Sequence, residues 1–325
     1  MSLAHALALM PLGRARLFAG DPQQLSPVLR SEDRLARQWL GRSPFAAMPR
    51  GGQSGQSGQS GQSGQGGTAV AMLDEQSRMA ATIGALVSDL FYDGALRVAA
   101  EALASQDWQQ ARARALGDIP ADVHVKVLRI TREGFWSAKD RGPIRRESAD
   151  AIAALIAQAL ASGDWAPHEF IVLTPFRAQR ALIRQRLDAL GVDDGVKVST
   201  VHRAQGSEAP VVFFDPADGT QPFLQTEEAR RLLNVALSRA QAKVVICLSS
   251  ADLTNEVLAP IVHRMRLAGD PREAVPLLTL AKAPDFPSTR AVCGWRQAGS
   301  SGRSTASRRT ALASGSSTRR AATRS

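Results

Sequence analysis

The sequence predicts a doubly wound α/β fold on a mainly parallel sheet, and three observations carry that expectation. Apolar runs at 170–173, 211–214 and 244–248 are continuous rather than alternating, as strands covered on both faces must be. Between the runs, Ile152, Leu155, Ile156 and Leu160 share one helical face and Ile183, Leu187 and Leu190 another. Each of these stretches is long enough for a parallel crossover. Polar clusters follow the runs directly, and in such sheets ligands bind at the carboxyl ends of the strands.

In chain order, residues 16–19 read as a strand running into Gly20-Asp21-Pro22-Gln23-Gln24-Leu25-Ser26-Pro27. Gly and Pro hold such a turn and can aim polar side chains into a cleft. The amide of Gln24 offers donors and an acceptor to a terminal phosphate or an attacking water. Taken alone, the segment is more often just a turn. Residues 73–79 are expected to open a helix, with Asp74 as its cap and Glu75 in its first turn. Arg78 stands out there because a guanidinium binds phosphate oxygens bidentately; a surface salt bridge is the plainer alternative.

Val123, Val125 and Val127 alternate with His124 and Lys126, the pattern of a strand with one wet face. Thr174-Pro175-Phe176-Arg177-Ala178-Gln179 repeats the plan of strand, turn and helix. After a strand at 196–199, one turn gathers Thr200, His202, Gln205, Gly206 and Glu208. A carboxylate such as Glu208 suits a ribose hydroxyl, and Thr200 and Gln205 suit a nucleic-acid phosphate. His202 alone is more often a hydrogen-bonded turn residue than a catalyst. In the helix expected over 230–240, Arg231, Asn234 and Ser238 share a face and Arg239 stands at the end. An arginine reaching across a cleft neutralises charge on a transferring phosphoryl group, worth about 10³ to 10⁵ in rate. A basic solvated face is the plainer alternative.

Composition narrows the function classes. No apolar run approaches the roughly 20 residues that cross a bilayer, and the first ten residues lack a basic n-region, so the expected location is cytoplasmic, with no membrane partner. Cys247 and Cys293 have no histidine at ligand spacing, so no metal ligand is assigned, and Cys247 reads as a small core residue. The formal charge is +10, but the chain from Phe286 onward holds eight arginines and no acidic residue, leaving only +2 for the body. The basic balance alone therefore says little about nucleic acid. Residues 51–67 repeat Gly-Gln-Ser, a solvated linker composition. The Ser/Arg-rich stretch 283–325 has no sustained apolar period and reads as a disordered tail.

Taken in order, the polar segments resemble motifs III to VI of superfamily 1 helicases, particularly the subgroup containing the RNA-surveillance helicase and the helicase-nuclease that processes Okazaki fragments. The matching patterns are Gly-Asp-x-x-Gln-Leu-x-Pro, Gln-x-Arg-Met followed by Asp89-Leu90-Phe91-Tyr92-Asp93-Gly94-Ala95-Leu96, Thr-Pro-Phe-x-x-Gln, Thr-Val-His-x-x-Gln-Gly-Ser-Glu and Arg-Leu-Leu-Asn-Val-Ala-Leu-Ser-Arg-Ala. They cover most of the chain from 16 to about 248.

The resemblance implies a second RecA-like domain at 68–282, the end of a first at 1–48, a linker at 49–67 and the tail at 283–325. It implies that Gln24, Arg78 and Arg239 work on the γ-phosphate, and that Asp21, Gln76, Gly206, Glu208 and Arg231 line the nucleotide. Thr174, Pro175, Thr200, His202 and Gln205 would meet single-stranded DNA or RNA, with Gln205 linking the two sites. Where the family stacks an aromatic on the base, this chain has Ser77.

The five lysines, Lys126, Lys139, Lys197, Lys243 and Lys282, all lack a preceding Gly, so no Gly-Lys-Ser/Thr phosphate loop is present, and Met1 falls about where the Mg²⁺-holding acidic pair would just have ended. The expected function is the ATP-sensing and strand-gripping portion of a motor that uses ATP with Mg²⁺, with neither bound tightly and no hydrolysis by this chain alone. The alternatives are a non-catalytic nucleic-acid-binding module, one chain of a split motor whose partner carries the Walker A and B half, and a remnant without function.

Overall fold

The computed structural model describes residues 2–14, 16–27, 29, 31–47, 71–192 and 194–267. All belong to the first of two compact units, Met1–Pro284; the second is Asp285–Ser325. The expected linker at 51–67, the tail from 283 and Cys293 lie outside the described residues.

Near the N-terminus, Ser2 caps α1 (Leu3–Leu9) by accepting from the His5 N–H, and Asp33 caps α2 (Arg34–Trp39) by accepting from the Ala36 N–H at 2.8 Å. Then follow β1 (Glu75–Gln76), α3 (Ala81–Phe91), β2 (Arg97–Val98), α4 (Ala100–Ala104), α5 (Gln106–Arg112), β3 (Val125–Arg129), β4 (Phe135–Ser137) and β5 (Gly142–Ile144). The rest alternates: α6 (Arg146–Ala161), β6 (Phe170–Thr174), α7 (Arg177–Ala189), β7 (Lys197–Thr200), β8 (Ala209–Phe214), α8 (Glu227–Leu237), β9 (Ala240–Leu248) and α9 (Ala259–Leu267).

Five strands form one all-parallel sheet in the order β3-β9-β8-β6-β7. Successive residues of a strand point to opposite faces, and here both faces are covered. Phe170 and Val172 enter a core with Ile152 and Ile156 of α6 and Ile183 and Leu187 of α7. Ile171 and Leu173 enter the opposite core with Ile83 and Val87 of α3 and Leu232 and Leu233 of α8. Every position of β6 is thus apolar up to Thr174, and each such side chain contributes about 1.5–3 kcal/mol on burial. This is the doubly wound, RecA-like α/β arrangement that the sequence predicts. Cys247 is a fully buried core residue, its thiol pushed well up, first by burial.

Two local expectations fail for physical reasons. Residues 16–19 are extended but not a strand, with Leu17 94% exposed, because no neighbouring strand offers them a ladder among the described residues. Nor do residues 73–79 open a helix. Glu75 and Gln76 pair in parallel with Arg97 and Val98, and Asp74 takes Arg97 as a partner instead of capping. That hydrogen bond holds the Asp74 carboxyl below its usual range. The helix starts at Ala81, and the backbone N–H of Ala80 is satisfied by the Gln241 carbonyl at 2.8 Å.

Edge strand β3 shows the expected alternation only in part, since Leu128 is buried beside Val127. Beside it, the buried Lys243 ammonium donates to the carbonyls of Pro120 at 2.8 Å, Ala121 at 3.3 Å and Val123 at 2.7 Å, stapling the preceding loop to β9; burial pushes its pKa down to about 8. His124 is half-buried and donates from Nδ1 to the Ala242 carbonyl at 2.8 Å. Burial holds its pKa below the ordinary 6.5, against the opposing effect of that hydrogen bond. The unfolded chain therefore binds the proton more readily, and stability falls as pH drops through 6.5 toward the folded value. The urea midpoint of wild type should fall more between about pH 7.5 and 5 than that of His124→Gln; equal falls would contradict this.

Candidate functional site

Arg78, Glu208 and Arg239 come together at the amino ends of β8 and β9. Ala209 opens β8 and Ala240 opens β9; these two are register partners, so Glu208 and Arg239, each one residue upstream, lie side by side. Arg78 arrives from the turn after β1. Its Nε pairs with Glu208, and its Nη1 donates to the Ser238 carbonyl at 3.3 Å. Gln241 Nε2 donates to the other Glu208 oxygen at 3.2 Å.

Arg239 differs from Arg78. It is only 7% exposed, makes no side-chain hydrogen bond or ion pair among the described residues, and its Nε is buried without a partner. Burial first, and then the positive charge of Arg78, pull its pKa down; Glu208 opposes them. Among the described residues Glu208 is ion-paired with Arg78 alone, and a nearly buried cation with spare donors beside it favours an incoming anion.

The turn carrying Arg78 is held on both sides. Gln76 Oε1 accepts from the Met79 N–H at 2.8 Å, and its Nε2 donates to the Met79 carbonyl at 3.2 Å, so Gln76 is a brace rather than a free ligand in this conformation. From α5, Trp108 Nε1 donates to the Ser77 carbonyl at 2.5 Å, and Arg112 Nη2 donates to the carbonyls of Ser77 at 3.1 Å and Arg78 at 2.7 Å. The Arg112 guanidinium lies over the Trp108 ring, 3.9 Å from its centroid. Sequence reasoning missed this clamp, and no local motif signals it.

A second patch forms where the Gly20-to-Pro27 segment meets α8. Asp21 accepts from the Gln23 N–H at 2.8 Å, from Gln24 Nε2 at 3.0 Å and from the Tyr92 hydroxyl at 2.5 Å. Burial, more than the nearby Asp21, raises the Tyr92 pKa far above its usual value. Asn234 Nδ2 donates to the Tyr92 oxygen and to the Gln23 carbonyl, both at 2.9 Å. Arg231 donates to the Ser26 hydroxyl at 3.1 Å and lies 3.6 Å from Glu228. Asn234 and Ser238 are one helical turn apart, so one face of α8 carries both patches. No hydrogen bond joins Gln24 to Arg78 or Arg239 among the described residues.

The remaining candidates stand at the opposite end of the sheet. Thr174 closes β6 and Thr200 closes β7, and the two are register partners. Thr174 is fully buried, its hydroxyl accepting from the Phe176 N–H at 3.4 Å; Thr200 is 8% exposed, Pro175 and His202 are half-buried and Gln205 is exposed. Residues 201–208 then carry the chain back to the amino end, turning at Gly206, whose φ of +88° favours glycine. The carboxyl-end rule therefore fails for Glu208, because this short crossover delivers it to the start of β8 rather than the end of a strand.

A buried network fills the carboxyl ends of β6, β8 and β9. Arg145, fully buried, donates through Nη1 to Asp252 at 2.5 Å, and through Nη2 to Asp215 and the Cys247 carbonyl, both at 3.0 Å. Asp215 also accepts from Ser148 and Gln179 at 2.6 Å. The Asp215 position was findable, directly after the apolar run 211–214; Arg145 gave no such signal. No cluster of three His, Cys, Asp or Glu suited to a metal ion occurs among the described residues.

Two comparisons bear on this geometry. A family model described as an AAA domain matches residues 59–251, more than half of the chain. A crystal structure of the C-terminal domain of a possible DNA helicase from Lactobacillus plantarum WCFS1 aligns at 16% identity and a TM-score of 0.30, covering 49% of this chain and 94% of that one.

Proposed function

The chain belongs to the AAA domain family, as a helicase-like domain of the superfamily 1 C-terminal type, and from that premise we propose that it senses ATP and grips a nucleic-acid strand in an ATP-dependent motor. The observation that carries this reading is Arg239: a nearly buried guanidinium with an orphan Nε, beside Arg78 at the mouth of β8 and β9. Such a pair, with Glu208 ion-paired to Arg78 alone among the described residues, suits an anion receptor.

In this proposal Arg239 and Arg78 meet the γ-phosphate from the second lobe, and Glu208 exchanges its bond to Arg78 for a ribose hydroxyl. Gly206 lets the Gln205–Glu208 turn approach the nucleotide, while Gln76 keeps Arg78 aimed. Arg231, Asp21 and Gln24 transmit the nucleotide state along α8, through the contacts that join the N-terminal segment to Asn234 and Arg231. Thr200, with Pro175 and His202, holds the strand at the carboxyl end, the buried Thr174 bracing the turn through the Phe176 N–H, and Gln205, on the crossover, links the two. Polyphosphate fits the arginines. Mg²⁺ and the phosphate-binding loop would come from a facing lobe, because the sequence holds no Gly-Lys-Ser/Thr loop and the carboxylates here, Glu208 and Asp21, are already taken by Arg78 and by Gln23, Gln24 and Tyr92.

Titrating tripolyphosphate tests the reading directly. The guanidinium resonances of Arg78 and Arg239 should move together and saturate, and Arg239→Ala should abolish the response at Arg78. Resonances that stay still up to tens of millimolar anion, roughly the limit at which a paired guanidinium still binds phosphate usefully, would sink it.

A further inference from the structure

We propose that the β4–β5 hairpin is a base-stacking element for single-stranded nucleic acid, in which Trp136 takes the base and the exposed cations of the hairpin and its flanks, Arg132, Lys139, Arg141 and Arg177, hold the backbone. The proposal rests on the strand-gripping reading of Thr174 and Thr200 and extends it to a hairpin that no motif covers.

Trp136 is 62% exposed and Phe135 44%, and they are the exposed aromatic side chains among the described residues from 71 onward. Neighbours on a strand point to opposite faces. Phe135 has the Arg146 guanidinium over it at 5.3 Å, which leaves Trp136, paired across the hairpin with Pro143, as the open ring. A tryptophan this exposed forgoes the burial that large aromatics normally contribute, and every unpaired base has a π-face to cover it.

The hairpin is rigid and correctly placed. Asp140 and Ser137 clasp its tip through a hydroxyl donation at 2.6 Å, and Arg141 turns it with a φ of +53°. Next to the tip Gly142, the register partner of Ser137, lies against α7, where an added Cβ would sit 3.0 Å from that of Ala178. An added Cβ on Gly134 would collide with the Ala217 carbonyl at 2.1 Å, so Gly134 is required by close approach, while Gly142 packs tightly. The Arg145 N–H donates to Gln179 Oε1 at 2.8 Å. These contacts seat the hairpin on the first turn of α7, the turn that follows Thr174-Pro175-Phe176.

Charge selects the occupant. None of these four cations makes an ion pair among the described residues, and all are exposed. The neighbouring carboxylates are occupied: Glu133 accepts from Ser249 and the Ala251 N–H, Asp140 from Ser137, and Glu147 from Thr131 and the Arg132 N–H. An open indole on a hairpin whose turn and flanks carry exposed cations without acidic partners among the described residues matches a strand that offers phosphates and free bases; a duplex offers no open base face.

The test is fluorescence anisotropy of the full chain with labelled dT20 at about 0.15 M salt. Trp136→Ala should weaken binding roughly tenfold or more, whereas Trp136→Tyr should stay within about threefold, because stacking tolerates any aromatic. The salt slope should be unchanged in Trp136→Ala but shallower by about 1.4 in the double variant Lys139→Ala, Arg141→Ala. Unchanged circular dichroism and urea midpoint establish that Trp136→Ala is folded. Wild-type binding that Trp136→Ala leaves undiminished overturns the hairpin proposal alone, as does an effect confined to self-association in sedimentation. Absence of any wild-type binding to dT20 or rU20 overturns it together with the strand grip at Thr174 and Thr200.

Discussion

Arg145→Met is expected to destabilise the protein by about 3–5 kcal/mol, the usual cost of removing one partner from a buried ion pair. Arg145, Asp215 and Asp252 are all at 0% exposure, and the two carboxylates lean on the one guanidinium. Burial opposes the Arg145 charge, yet the two carboxylates more than offset it and raise its pKa above the usual arginine range. Without the cation, two carboxylates remain side by side in a dry interior. Neutral donors, namely Ser148, Gln179 and the N–H groups of Ala217 and Gly219, satisfy some of their lone pairs but none of their charge. A methionine of similar length fills much of the space, so the loss reads the charge rather than a cavity. The pH dependence gives a second check. An unpaired buried carboxyl has a raised folded pKa, which favours the folded state as the group takes up a proton. The deficit of Arg145→Met relative to wild type should therefore shrink as pH falls from about 7 toward 4. A urea midpoint within error of wild type at neutral pH would mean that the network holds nothing.

That network shows where sequence reading stops. The central strands were legible because burial on both faces leaves a local trace: 170–173, 211–214 and 244–248 are continuous apolar runs, and the helices between them keep one apolar face. Arg145 leaves no such trace, since its partners lie 70 and 107 residues away along the chain. Residues 16–19 failed for the opposite reason. They carry the composition of a strand, but a strand exists only by virtue of its neighbour. At 73–79, good helix formers lost to a two-residue ladder with Arg97 and Val98 and to the bracing amide of Gln76.

The site residues show the same division. Thr174 and Thr200 could be placed at carboxyl ends from the runs that precede them, and the structure makes them register partners. The convergence of Arg78, Glu208 and Arg239 at the amino ends depends on the strand order β9-β8-β6-β7 and on a crossover of eight residues at 201–208, and neither is a property of any single segment. Trp108 and Arg112 fix the backbone of Ser77 and Arg78 from a separate helix. Their role follows from a hydrogen-bond pattern that no spacing rule encodes.

Completing the site across the cleft should reveal the largest functional effect, carried by Arg239. Purified alone, the chain is expected to turn over no ATP, because it contains no Gly-Lys-Ser/Thr loop and the binding energy for the β- and γ-phosphates comes largely from that loop, its lysine and Mg²⁺. Joined to a superfamily 1 lobe that supplies the loop, whether fused or mixed, it should support nucleic-acid-stimulated turnover, and Arg239→Ala should cut that turnover by about 10³ to 10⁵-fold. The size follows from the environment. Arg239 is nearly buried and makes no side-chain hydrogen bond or ion pair among the described residues, so it can take up the transferring group without first breaking an internal contact. Arg78 is 44% exposed and must first leave Glu208, so Arg78→Ala should cost less than Arg239→Ala. Arg239→Lys should not rescue, because a point charge on a flexible stem cannot reproduce a planar fork held in a closed pocket. The deficit should fall on kcat more than on KM, as expected for contacts that strengthen when the γ-phosphate departs. Turnover by the chain alone, or a completed motor indifferent to Arg239→Ala, would show that the two arginines at the mouth of β8 and β9 serve something other than a nucleotide.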